Sequence, residues 1–208
     1  MRLQAWVGAI VVGLSLCLSV SAAESLDIQK LWPTSGLYSK EQIGQLFYNI
    51  TFRPFGRKDL TFRMLVLKDW KGVPLKVAKE QLEQEERTLL PLAELRAPDW
   101  EKSNATIYVR SVKITKKTEL EKWVSAYLEG NGLTSVARRK GTFNGRSVDD
   151  VLLRSQQGEK TFLVRMTFSI HGSHIFLVTC AALEPFFEQY AKVFSIAAIT
   201  FCTVENGK

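Results

Sequence analysis

The stretch that decides the fold begins Leu120-Glu121-Lys122-Trp123-Val124-Ser125-Ala126-Tyr127-Leu128-Glu129-Gly130-Asn131-Gly132 and runs on to Phe201. Leu120, Trp123, Val124, Tyr127 and Leu128 recur at helical spacing on one face. Gly130-Asn131-Gly132 stops the helix, because Gly and Asn tolerate the left-handed conformation that a helix C-terminus needs. Three strand-like runs follow, Arg146 to Arg154, Lys160 to Ile170 and His174 to Ala181, separated by short Gly-containing turns at 156–159 and 171–173. Pro185 opens a second helix carrying Phe186, Phe187, Tyr190, Val193 and Phe194, at a position where its missing N–H costs nothing. Ile196 to Val204, β-branched and aromatic, predicts a closing strand. A meander with a helix on either side must bury a sheet face, and those helices are its natural cover.

Outward from this stretch, the N-terminus reads as a leader. Met1-Arg2 is positive, and Val7 to Val20 is apolar but short for a bilayer span. Cleavage after Ala22 or after Ala23 would each place small residues at the specificity positions, so residues 1–23 are read as a secretory signal peptide. An uncleaved anchor using Leu3 to Ala23 is the alternative. A lipoprotein reading is weaker, since Leu16 precedes Cys17 where a small residue is wanted. Of 28 Lys and Arg against 21 Asp and Glu, the leader removes Arg2 and leaves a balance of +6. That modest excess fits ordinary solubility, or attraction to an acidic partner surface.

Residues 24–59 read as an N-terminal arm, broken by Pro33 and Gly36, with a short helix capped by Ser39 and a first strand over Tyr48 to Phe52. Residues 60–204 read as a single α+β sandwich domain: a mainly antiparallel sheet flanked by helices. Leu60 to Leu67 is strand-like and ends in a turn bearing Trp70. Lys76 to Leu90 has helical patterning, with Lys79–Glu83 and Glu83–Arg87 spaced as i,i+4 pairs and Pro91 ending it. Leu95 to Asp99 reads as a connection, and Ala105 to Ile114 alternates as a strand. Thr118 and Glu121 form a capping-box pattern leading into the Leu120 to Leu128 helix.

This order of elements resembles the Mog1/PsbP-like fold, seen also in DcrB-like periplasmic proteins. Leu67-Lys68-Asp69-Trp70 matches a Trp-bearing turn after an early strand but lacks that turn's Pro. The Leu120 to Leu128 helix, the turns at Gly145 and Gly172, and Ile199-Thr200-Phe201 also match. The resemblance implies an α/β/α sandwich serving as a non-catalytic binding or assembly scaffold, with no catalytic residue to carry over.

Chemistry is sparse. The two histidines, His171 and His174, flank one tight turn, with too few nearby ligands for a zinc site, and read as a polar hairpin tip. No G-x-S-x-G nucleophile turn and no Gly-rich phosphate loop occurs. Asp149 and Asp150 would point to opposite faces of a strand and so form no acid/base couple. No enzyme, cofactor or metal is expected. Cys180 and Cys202 could pair if their strands were parallel neighbours, closing a loop of about 22 residues; two buried free thiols are the alternative. Trp70 and Trp100, beside turns, are candidate partner contacts, as are Arg138, Arg139 and Lys140, which could flank one end of the sheet and bind an acidic partner; solvated loop charges are the alternative. Nucleic acid is not expected, because an exported chain with so few interleaved aromatics lacks the footprint. The expectation is an exported, non-enzymatic accessory protein of the cell envelope, binding an envelope protein or membrane-associated assembly. A small-ligand or lipid-binding periplasmic module is the alternative.

Overall fold

A computed structural model describes residues 26–86 and 88–204. The signal-peptide reading of 1–23 and the Glu83–Arg87 pairing lie outside the described residues. Among the described residues no helix is long and apolar enough to cross a membrane.

In chain order the elements are α1 (Ile28–Leu31), α2 (Lys40–Leu46), β1 (Phe47–Phe52), β2 (Phe62–Leu67), β3 (Lys71–Gly72), α3 (Lys79–Glu83), β4 (Leu90–Arg96), α4 (Trp100–Ser103) and β5 (Thr106–Lys113). They continue with α5 (Leu120–Gly130), β6 (Ser135–Phe143), β7 (Arg146–Gln157), β8 (Lys160–His171), β9 (His174–Leu183), α6 (Glu184–Thr200) and β10 (Cys202–Thr203). Seven strands form one sheet in the order β3-β4-β5-β9-β8-β7-β6, and β1-β2-β10 form a second. Their pairings are antiparallel. The chain is therefore α+β with a mainly antiparallel sheet flanked by helices.

Both faces of the large sheet are covered. On one, Val124 and Leu128 of α5 pack on Val151, Val164, Met166 and Phe168. On the other, Phe187, Val193, Phe194 and Ala197 of α6 join Phe62, Met64 and Val66 of β2 over Ile107, Val109 and Phe176. Phe201 closes that side, its ring 5.3 Å from Phe62 and 5.7 Å from Phe176.

Several local expectations are corrected. The segment at Ile196 to Val204 is not a strand: α6 continues to Thr200, and only Cys202 and Thr203 pair with β2. Ile196, Ala197 and Ala198 are buried by continuing the helix, and Thr200 Oγ1 donates to Ile196 O at 2.6 Å, which accommodates a β-branched residue there. The helix expected over Lys76 to Leu90 shrinks to α3, and Leu90–Arg96 becomes a strand. Pro91 is tolerated because the β4–β5 register slips between Pro91 and Ala93, where a missing N–H breaks no ladder. The α5 N-cap is Glu119, without a side-chain cap bond, and Thr118 Oγ1 instead donates to Lys116 O. Ser39 does cap α2, in a full capping box with Gln42.

The N-terminal arm is part of the core. Leu31 and Trp32 are buried, and Ser195 of α6 donates to Pro33 O at 2.8 Å. Arg138, Arg139 and Lys140 lie within β6, not in a loop. Asn144 and Gly145, both at positive φ, make the two-residue β6–β7 turn, for which Asn-Gly is the favoured pair.

Candidate functional site

The expected partner contacts fall at opposite edges of the large sheet. Trp70 is in the core, edge-on to Tyr190 at 5.8 Å and Phe194 at 6.1 Å, and 3% exposed. The aromatic stripe of α6 needs a large counterpart at the sheet edge, and Trp70 supplies it. Trp100, half-buried, donates Nε1–H to Thr106 Oγ1 at 3.1 Å, under the Arg96 guanidinium at 4.0 Å. It stands near β4 and β5, far across the sheet order from β6.

Within β6 the alternation of side chains sends Arg138 and Arg139 to opposite faces. Arg138 grips Asp149 (Nε to Oδ1, 2.8 Å) and reaches Ser125 Oγ and Glu121 O on α5. Arg139 pairs with Asp150 at 3.2 Å and lies over the Trp32 ring at 4.2 Å. Lys140 stays exposed, 2.6 Å from Glu121. The two aspartates do point to opposite faces, but both faces are covered, so both are buried. Asp150 accepts from Arg165 Nη2 at 2.8 Å, from Thr167 Oγ1 at 2.7 Å and from Trp32 Nε1 at 2.9 Å. A buried carboxylate with two guanidiniums and two neutral donors is well satisfied and held fast. The sequence reading missed this cluster; a lone Arg165 inside the apolar run Phe162 to Met166 is the signal that could have found it.

Cys180 and Cys202 are free and do not pair. The premise for a bridge fails because β10 joins the small sheet rather than lying parallel to β9. Cys180 points into the core beside Phe194, and burial pushes its thiol up to about 12. Cys202, opposite Arg63 on β2, accepts from Arg63 Nε at 3.0 Å.

A different feature stands out on the surface. Between β1 and β2 a single 3-10 turn spans Pro54–Gly56, and Phe55 occupies it at φ +56°, 42% exposed. A Phe in the left-handed region is sterically costly and uncommon. The turn is braced. Gly56 N–H donates to Arg53 O at 3.2 Å, and Arg57 N–H to Pro54 O at 2.9 Å. The Arg57 guanidinium spans Asp59 and Glu85, and Glu85 also takes Lys113 Nζ at 3.0 Å. Hydrogen bonding from Arg57 holds the Asp59 carboxyl below the usual carboxylate range. Burial pushes Glu85 up, but the bonds from Arg57 and Lys113 outweigh it and its carboxyl also lies low. His174 is 3% exposed, with Nε2 3.8 Å from Asp59 and no hydrogen bond on it; burial lowers its basicity. Arg53 and Lys58 beside the turn make its surroundings basic. Nothing in the sequence revealed the backbone conformation of Phe55.

Neither a family model nor a curated protein matches the chain. Solved structures do. LpqN of Mycobacterium tuberculosis, described as involved in cell envelope biogenesis, superimposes with a TM-score of 0.55 at 14% identity, over 80% of this chain and 98% of that one. Cyanobacterial PsbP (CyanoP) from Synechocystis does so with a TM-score of 0.52 at 10% identity, over 76% of this chain and 93% of that one. The chain has the Mog1/PsbP-like fold that its element order resembles.

Proposed function

We propose that this chain is an exported, non-enzymatic accessory protein of the cell envelope that docks on a protein partner through the Phe55 turn. The observation that carries the reading is Phe55 itself: an aromatic side chain held toward solvent in a costly backbone conformation, on a turn braced by ion pairs. Strain of that kind persists only where surrounding structure over-determines it, and rigid exposed aromatics are the side chains that anchor interfaces. Export is supported by the leader-like residues 1–23. The envelope setting is supported by the fold shared with LpqN, itself described as involved in cell envelope biogenesis. The non-catalytic reading is supported by how the acidic pair is used, since Asp149 and Asp150 are both buried against arginines.

The test is a photo-crosslinking amino acid placed at Phe55 and, separately, at Val136, which is equally exposed on β6. In cells that make the protein, position 55 gives one discrete protein adduct and position 136 does not. Phe55→Asn, which suits the backbone, folds normally and does not co-purify with the partner identified by that adduct. Equal adducts from both positions, or an unchanged yield of the partner with Phe55→Asn, would sink the reading.

A further inference from the structure

Two arginines are more than nine-tenths buried among the described residues, Arg165 at 0% and Arg110 at 6% exposure. Arg165 has Asp150. Among the described residues Arg110 has no carboxylate within ion-pair distance; the nearby Glu94 is engaged by Arg96 Nε at 2.7 Å. The polar contact of Arg110 is Nη2–H donated to Thr179 Oγ1 at 3.2 Å, and its Nε is buried with no partner. The guanidinium lies 5.3 Å from the Tyr108 ring centre, and burial raises the Tyr108 phenol. β5 pairs with β4 on one side and β9 on the other, so Arg110 stands near the middle of the large sheet, on the face that carries α5. Tyr108, Glu94 and Arg96 on that same face stay partly exposed, which leaves the region open to solvent at its edge.

A buried cation without a counter-ion is costly to keep. We propose that Arg110, Thr179 and Tyr108 form a binding subsite for a carboxylate, which supplies the missing counter-ion. Nη1–H and the second Nη2–H make a planar two-donor fork at the end of the guanidinium away from the buried Nε, and a carboxylate presents two acceptors at the matching spacing. Thr179 Oγ1 already accepts from Arg110, so its own hydrogen is available to donate to the same anion. The Tyr108 ring offers an apolar wall for the group that carries the carboxylate. This site is separate from the Phe55 turn and stands or falls without it.

The experiment follows the ¹⁵N-labelled arginine Nε–H signals of the folded chain during titration with benzoate. The Arg110 signal, assigned by its loss in Arg110→Lys, shifts saturably with roughly millimolar half-saturation, while those of Arg138, Arg139 and Arg165 stay in place. In Arg110→Lys, which keeps the charge and loses the fork, benzoate protection against thermal unfolding weakens about tenfold in affinity. Arg110→Met folds at least as well as the parent without benzoate and gains no protection from it. A short peptide with a free C-terminal carboxylate, compared with its amidated form, separates the source. Tighter binding of the acid peptide than of benzoate assigns a peptide terminus, and equal binding a small organic acid. The proposal is overturned if the Arg110 signal does not saturate, if all arginine signals drift together, if inorganic phosphate binds more tightly than benzoate, or if Arg110→Met is strongly destabilised.

Discussion

Arg165 and Arg110 sit on the same sheet, two strands apart in its order, and are both buried, yet one is surrounded by partners and the other is not. Around Arg165, Asp150 gathers two guanidiniums, a hydroxyl and an indole N–H. Around Arg110, among the described residues, there is one threonine hydroxyl and an aromatic ring. The difference separates two uses of a buried charge. A charge neutralised within the chain fixes where its elements pack; here Asp150 ties the N-terminal arm to β6, β7 and β8. A charge left without a counter-ion costs stability, and the proposed carboxylate would offset that cost.

The comparison can be broken by stability measurements. Asp150→Ala leaves Arg165 buried without a counter-ion, its Nη1 still donating to Ser195 Oγ at 2.7 Å, and is expected to cost about 3–5 kcal/mol in urea unfolding; a loss below about 1 kcal/mol on the same scale would mean that the cluster is not what joins these elements. Trp32→Phe keeps most of the packing but removes one donor to Asp150, with an expected loss of about 1–3 kcal/mol. A wild-type midpoint in that variant would return the arm to the status of a loose appendage. Phe55→Asn relieves the left-handed strain and is expected to gain up to about 1 kcal/mol, read as a higher Tm. In Arg110→Met the unfolding free energy stays within about 1 kcal/mol of the parent or rises, because no carboxylate is orphaned and the Thr179 hydroxyl loses only one weak bond. The contrast of that result with Asp150→Ala is the sharpest form of the comparison.

The smallest effect is a slope. Burial depresses the His174 pKa below its ordinary 6.5, so the unfolded chain binds this proton more readily than the folded one. Stability is complete above about 6.5 and falls as pH drops through that value toward the lower folded pKa. Asp59 and Glu85, whose carboxyls are also depressed, add a loss in the same direction at more acidic pH. His174→Gln flattens the upper part of the profile while leaving the carboxylate part; an unchanged profile between pH 5 and 7 would assign the dependence elsewhere.

Much of this molecule was legible before any coordinates. Helical spacing from Leu120 to Leu128 gave α5, and the Gly-punctuated runs from Arg146 to Ala181 gave β7, β8 and β9, because period and turn chemistry are local properties of the chain. The order of these elements was enough to point to the fold. What local pattern could not reach was decided by neighbours distant in sequence. Ile196 to Thr200 has strand-like residues but is helical because β2 and the large sheet bury that face. Leu90 to Arg96 became a strand because β5 offered a ladder with a slip at Pro91. Trp70 went inside because α6 presents Tyr190 and Phe194 to it. The cysteines stayed apart because the last strand joined the other sheet. The pairing of Arg165 with Asp150, and the solitude of Arg110, depend on which side chains share one face of one sheet. Residue types name the charges, but only the register of β7 against β8 and of β5 against β9 settles which of them meet.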